Sequence, residues 1–173
     1  MGTFTTIPRD PIKGCGGIDY VLIANYGDIT STFDPSTGYV TFTDGDVSVG
    51  DAFTKFTMRK ETSNWTETGT GNAQQASTFF NQVLTLIFGR NDTVKRNNIK
   101  ALGQSEVIAV VVEKDPSNNI ALGCGNGLDM TSTTSGSGTA PGDLQGSTII
   151  LSGNECRPHG FVSAAELANI TPG

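Results

Sequence analysis

The sequence predicts a mainly β protein: a two-sheet antiparallel β-sandwich or barrel with one flanking α-helix, extended N- and C-terminal arms and a long inter-strand loop. Three observations predict it. Threonine (23) and glycine (22) are the two most frequent residues of the 173, and glycine stands well above its usual share of about 7%. Charged residues are only 16% of the chain, against about 25% ordinarily. Short apolar runs alternate with turn residues, and only one segment reads as a capped helix. Threonine suits a pleated, half-buried surface and glycine suits turns and bulges, so both favour sheet over helix.

Along the chain, residues 1–17 hold two prolines and four glycines without periodicity and read as an N-terminal arm. Short β-type runs follow at 19–26 (DYVLIANY), 29–33 (ITSTF), 38–43 (GYVTFT) and 53–60 (FTKFTMRK). In the last, Phe56 and Met58 share one face while Lys55, Thr57 and Arg59 share the other, the alternation of a half-buried strand. Residues 61–75 are polar with one aromatic. In STFFNQVLTLIFGR (77–90), Phe80, Leu84, Leu86 and Phe88 align on one face and Gln82 breaks the pattern. Val83, Thr85 and Ile87 line the other face, so the strand is expected to be covered on both sides, by a helix, a second sheet or a neighbouring subunit.

The helix is NDTVKRNNIKAL (91–102), capped by Asn91 or Asp92 and ended by Gly103, with Val94, Ala101 and Leu102 as its buried stripe and Ile99 at the margin. EVIAVVVEKD (106–115) and NIALGCG (119–125) then flank a turn and read as a hairpin. Residues 127–146 read as a long loop before the strand STIILSG (147–153). Residues 159–173 read as a C-terminal arm with one helical turn at 163–167. The whole chain is expected to be a single domain.

Chemistry is sparse. A net charge of −6 argues against a nucleic-acid grip, which needs a basic surface. The longest apolar run, 107–112, is too short to cross a bilayer, and no signal peptide is visible. A soluble chain made in the cytoplasm, with Cys15, Cys124 and Cys156 as reduced and largely buried thiols, is the expectation. Those thiols with His159 make a Cys₃His zinc set only arithmetically, because no second CxxC-like pair supports it. The glycines of 123–127 lack the following helix that a phosphate cradle needs. The aspartates of 43–51 lack calcium-loop spacing. Gly2 with Thr6 fits the loose myristoylation pattern, and Asn64, Asn91 and Asn169 sit in N-x-T triplets. The first pattern is short enough to arise by chance, and the triplets mean nothing without secretion. No acid–base pair or nucleophile constellation emerges, so no enzyme, metal or cofactor is expected.

The second half, from Gln82 to Pro158, carries a resemblance. A strand runs into an Asn-Asp-capped helix, then a hairpin, then a Gly/Thr-rich loop with Gly142, Asp143 and Gly146, then a strand ending LSGNE. This order resembles the tail tube (major tail) proteins of tailed bacteriophages, most of all those infecting Bacteroidetes-type hosts. The tail beyond Pro158 departs from it, being longer and more apolar. The resemblance implies a virion subunit that assembles with itself into stacked, hexameric rings. The rings would form a conduit through which DNA passes without specific binding or membrane contact. Its partners would be the tail terminator, baseplate and tape measure proteins, and a sheath where the tail is contractile.

Under that reading, Leu128, Met130, Thr131, Thr133, Thr139, Asp143 and Leu144 in the long loop are candidates for the joint between rings. Thr57, Glu61 and Glu67 are candidates for the bore wall, with Lys55 and Arg59 on the same face paired to carboxylates of neighbouring subunits. Competing classes are another virion protein (terminator or decoration) and a β-sandwich carbohydrate-binding or adhesin module. The latter usually gathers exposed aromatics on one face, whereas Trp65 and the three tyrosines are scattered in sequence.

Overall fold

The computed structural model describes residues 16–44, 49–58, 61–72, 74, 77–115, 118–140 and 143–172. Its elements are β1 (Ile18–Asn25), β2 (Thr30–Phe33), β3 (Val40–Thr43), α1 (Val49–Ala52), β4 (Thr54–Thr57), β5 (Asn64–Asn72) and β6 (Ser77–Gly89). There follow α2 (Thr93–Leu102), β7 (Val107–Glu113), β8 (Asn119–Leu122), β9 (Asp129–Gly136), β10 (Gly146–Glu155), β11 (Gly160–Phe161) and α3 (Ala164–Ile170).

The protein is mainly β, as its composition predicts. A five-stranded sheet runs β11-β8-β7-β1-β4, a four-stranded sheet runs β5-β6-β10-β9, and β2-β3 is a separate hairpin. All the strand pairings within the sheets are antiparallel. The two larger sheets share one core. Val21, Ile23, Ala109, Val111 and Leu122 from the first pack with Leu84, Leu86, Ile149 and Leu151 from the second. This is the period-2 pattern of the sequence turned into a sandwich.

The five-stranded sheet is buried on both faces. Leu22, Ala24, Ile108, Val110 and Ala121 point away from the shared core and meet Val40 and Phe42 of the hairpin, Phe53 beside α1, and Val162 and Ile170 near the C-terminus. That double burial explains the near-continuous apolar run of β7. The four-stranded sheet differs. Val83, Thr85 and Ile87 on β6, with Thr148 and Ile150 on β10, form its outer face and are half-buried. Among the described residues, neither a helix nor a second sheet of this chain covers this face.

Several expectations are corrected. Residues 127–146 are not a long loop: 129–136 form β9, paired along β10 from Gly136↔Gly146 to Asp129↔Ser152. The C-terminal arm is not free. β11 pairs with β8, Val162 N–H donates to Asn119 O (2.8 Å), and Ile170 is fully buried. α3 extends past the single turn expected, capped by Ser163, whose side chain accepts from Glu166 N–H. Among the described residues, α1 is the helix the sequence did not suggest. α2 itself is capped as read, Asp92 Oδ1 accepting from Lys95 N–H at 2.8 Å, but Val94 and Ala101 face solvent and Leu102 is the buried residue. Most of the N-terminal arm, residues 1–15 with Cys15, Gly2 and Thr6, lies outside the described residues, as does Arg59.

Candidate functional site

Two surfaces hold several of the predicted site residues: the edges of the four-stranded sheet and the end of the sandwich where the chain crosses from β10 to β11. Among the described residues, β5 and β9 are the outermost strands of the sheet and pair on one side only. They have nine and eight residues, and neither contains lysine, arginine or proline. Proteins usually protect exposed edges with such residues, with bulges or by covering them. Here the described protection is one register shift on β9, opposite Ile150/Leu151, and the inward-pointing Glu67 carboxylate on β5. β6 and β10 also lack lysine and arginine, so no basic side chain stands anywhere on this sheet.

The predicted joint residues separate into two groups. Leu128 is fully buried, bridged to Val107 by two backbone hydrogen bonds of 2.8 and 3.0 Å. Met130 packs against the core beside Gly103. Neither is available to a neighbour. Thr131 and Thr133 are exposed on the β9 edge, Thr131 Oγ1 donating to Ile150 O at 3.2 Å. Thr139, Asp143 and Leu144 lie in the short connection that remains between β9 and β10. There the Asp143 carboxylate accepts from Thr139 N–H (2.8 Å) and Ala140 N–H (2.7 Å), closing the turn while Gly138 takes φ +71°. Those two amide donors hold its pKa below the usual carboxylate value.

The bore candidates do not share a face. Thr57 ends β4 on the other sheet. Glu61 sits in a turn with φ 62°, its carboxylate 3.7 Å from Lys114 Nζ. Lys55 lies over the Tyr20 ring, 4.0 Å from its centroid. Glu67 points inward: its register places it opposite Gln82, on the core face. Its carboxylate accepts from His159 N–H (2.7 Å) and Gln82 Nε2 (2.9 Å), and contacts His159 Nδ1 at 3.2 Å. Gln82, which breaks the apolar pattern of β6, also accepts from Gly123 N–H at 2.9 Å. It is thus a fully satisfied core polar group. Removing the carboxylate leaves buried donors unmatched, so Glu67→Ala is expected to lower stability by about 1–3 kcal/mol. A thermal melt checks this, and an unchanged melting temperature would show that water replaces the carboxylate.

The same end of the sandwich gathers aromatics that the sequence scatters. Trp65 meets His159 at 5.1 Å between ring centroids, His159 meets Phe161 at 5.3 Å, and Phe161 meets Tyr39 at 6.5 Å. Trp65 Nε1 donates to Glu113 Oε1 at 2.8 Å. Beside this row lies a cleft of about 370 Å³ between the β2–β3 hairpin, the 123–126 turn and residues 155–160. Sequence reasoning passed over it because its walls come from four distant segments.

Two cysteines line this cleft. The Cys124 thiol is pushed up to about 12 by burial and by the nearby Glu155 carboxylate, whereas Cys156 is exposed, contrary to its expected burial. In a Cys15→Ser background at pH 8, a thiol reagent is expected to modify Cys156 roughly 100-fold faster than Cys124. Equal rates in the folded protein would contradict the half-buried placement of Cys124. Among the described residues no group of three or more His, Cys, Asp or Glu is arranged to hold a metal, and no helix is long and apolar enough to cross a membrane. Compared with protein-family models, curated proteins and solved structures, the chain matches none.

Proposed function

We propose that this chain is a structural, non-catalytic virion protein, the subunit of a phage tail tube that assembles into stacked hexameric rings. One observation carries the reading: an even-stranded antiparallel sheet with both edges open, matched in length and free of lysine, arginine and proline. In such a sheet the two edge strands run in opposite directions. Copies related by rotation therefore bring β9 of one against β5 of the next as an antiparallel pair, and the sheet closes into a ring without remaining edges. The outer face of the sheet would then line the bore, with Thr66, Thr68, Thr85, Thr148 and Ser152 as hydroxyl-bearing wall residues. The absence of lysine and arginine from all four strands supports this, because a wall without cations gives passing DNA nothing to bind. The wall assigned in this way replaces Thr57, Glu61 and Glu67. Stacking of rings and contacts with terminator, baseplate and tape measure proteins in the virion follow from the resemblance of residues 82–158.

The test is negative-stain microscopy of the concentrated purified protein beside size-exclusion chromatography. Rings or tubes with a central hole support the reading. A strictly monomeric protein at every concentration overturns it.

A further inference from the structure

The cleft at the β10–β11 crossing is built in a way that assembly does not require. Glu155 is 6% exposed. Its Oε1 accepts from Gly125 N–H (3.0 Å) and Asn126 N–H (2.9 Å), which fixes the carboxylate in one orientation. Its Oε2 accepts from no described residue. Oε2 is not among the described side-chain atoms sealed from solvent without a partner, so water meets it in the free protein and a ligand hydroxyl can take the place of that water. Arg157 stands at the same cleft with its guanidinium 5.6 Å from the Phe33 ring centroid. No described carboxylate lies within ion-pair distance of it. Asn126, Phe33 and His159 also line the cleft, together with Cys124 and Cys156.

We propose that this cleft binds a small neutral polyol, a single sugar ring. The charges select the class. A cationic ligand drawn by Glu155 meets Arg157, and an anionic ligand drawn by Arg157 meets Glu155. A neutral ligand carrying both donors and acceptors satisfies the two at once, its hydroxyls donating to the carboxylate and accepting from the guanidinium. The carbon face of a sugar ring then lies against Phe33 and His159, the apolar walls that ligand clefts of this size commonly supply. The volume of about 370 Å³ accommodates one sugar ring. The proposal does not depend on ring assembly, since the cleft is complete within one copy.

The experiment is saturation-transfer NMR on the full chain with glucose, galactose and N-acetylglucosamine at millimolar concentration, glycine serving as a zwitterionic comparison. Transfer to the ring protons of at least one sugar is expected, with affinity reduced roughly tenfold in Arg157→Ala and in Glu155→Gln. Glutamine keeps a carbonyl oxygen for Gly125 and Asn126, and a melt checks that the variant folds. If it does not, Arg157→Ala, at the exposed rim, decides alone. No transfer from any sugar overturns the proposal, as does transfer unchanged in the folded variants. Binding of glycine with the sugars silent overturns it in favour of a zwitterionic ligand.

Discussion

Proline at Thr133 or at Thr134 is expected to abolish ring formation at one of the two positions while leaving the isolated subunit folded. Both residues are exposed on β9, which pairs with β10 on one side only. Adjacent residues of an edge strand send their N–H groups in opposite directions, one into the ladder and one outward. Proline at the inward position removes a bond to β10 and lowers the melt by about 1–3 kcal/mol. At the outward position it spares the fold but removes a donor from the joint between copies and sets a bulky ring there. That loss recurs at every joint, so a closed ring fails even where one contact would survive. Chromatography and microscopy of the pair, beside their melts, give the answer. Rings persisting in both variants would show that β9 is not the joint.

Leu84→Ala should destabilise the subunit by about 4 kcal/mol, a fall of roughly 8–16 °C in Tm for a chain of this length. Leu84 is fully buried, with Trp65 and Leu151 as its cross-strand neighbours on the core face of the sheet. Truncating it opens a cavity that neighbours in two sheets cannot jointly fill. Val83, one residue away on the outer face, is only half-buried, and Val83→Ala should cost much less. Comparable melts for the two variants would contradict the assignment of faces on which the sandwich rests.

The core was the legible part of this sequence. Alternation in β6 and the apolar run of β7 report how many faces of a strand are buried, and the structure places Leu84, Leu86, Phe88 and Val107–Val112 inside. The capped helix was legible because Asp92 is read locally. β9 was not, because an exposed edge strand of serine and threonine carries no alternation, and its partner β10 alone makes it a strand. The C-terminal segment was misjudged for a related reason. Val162 and Ile170 are too widely spaced to show a period, and their burial depends on the β2–β3 hairpin more than 100 residues earlier. The inward turn of Glu67 and the burial of Gln82 were equally hidden. Each looks like a surface residue until the partner that satisfies it is known.

The order in which strands meet has a kinetic consequence. β5–β6, β7–β8 and β9–β10 are each neighbours in sequence and can zip from their turns. The β6–β10 pairing joins Leu84 to Leu151, and β1–β7 joins Val21 to Val111, so both wait on closure of long chain segments. Such distant pairings slow folding. Until β10 docks on β6, the four-stranded sheet exists only as two separate hairpins, and β5 and β9 do not yet bound a common surface. Nascent chains meeting one another at that stage lack a matched pair of edges held in one sheet. If copies join through β5 and β9 as proposed, competence to polymerise would be acquired late, and the slow closure of β6 on β10 would keep half-folded copies out of the growing assembly.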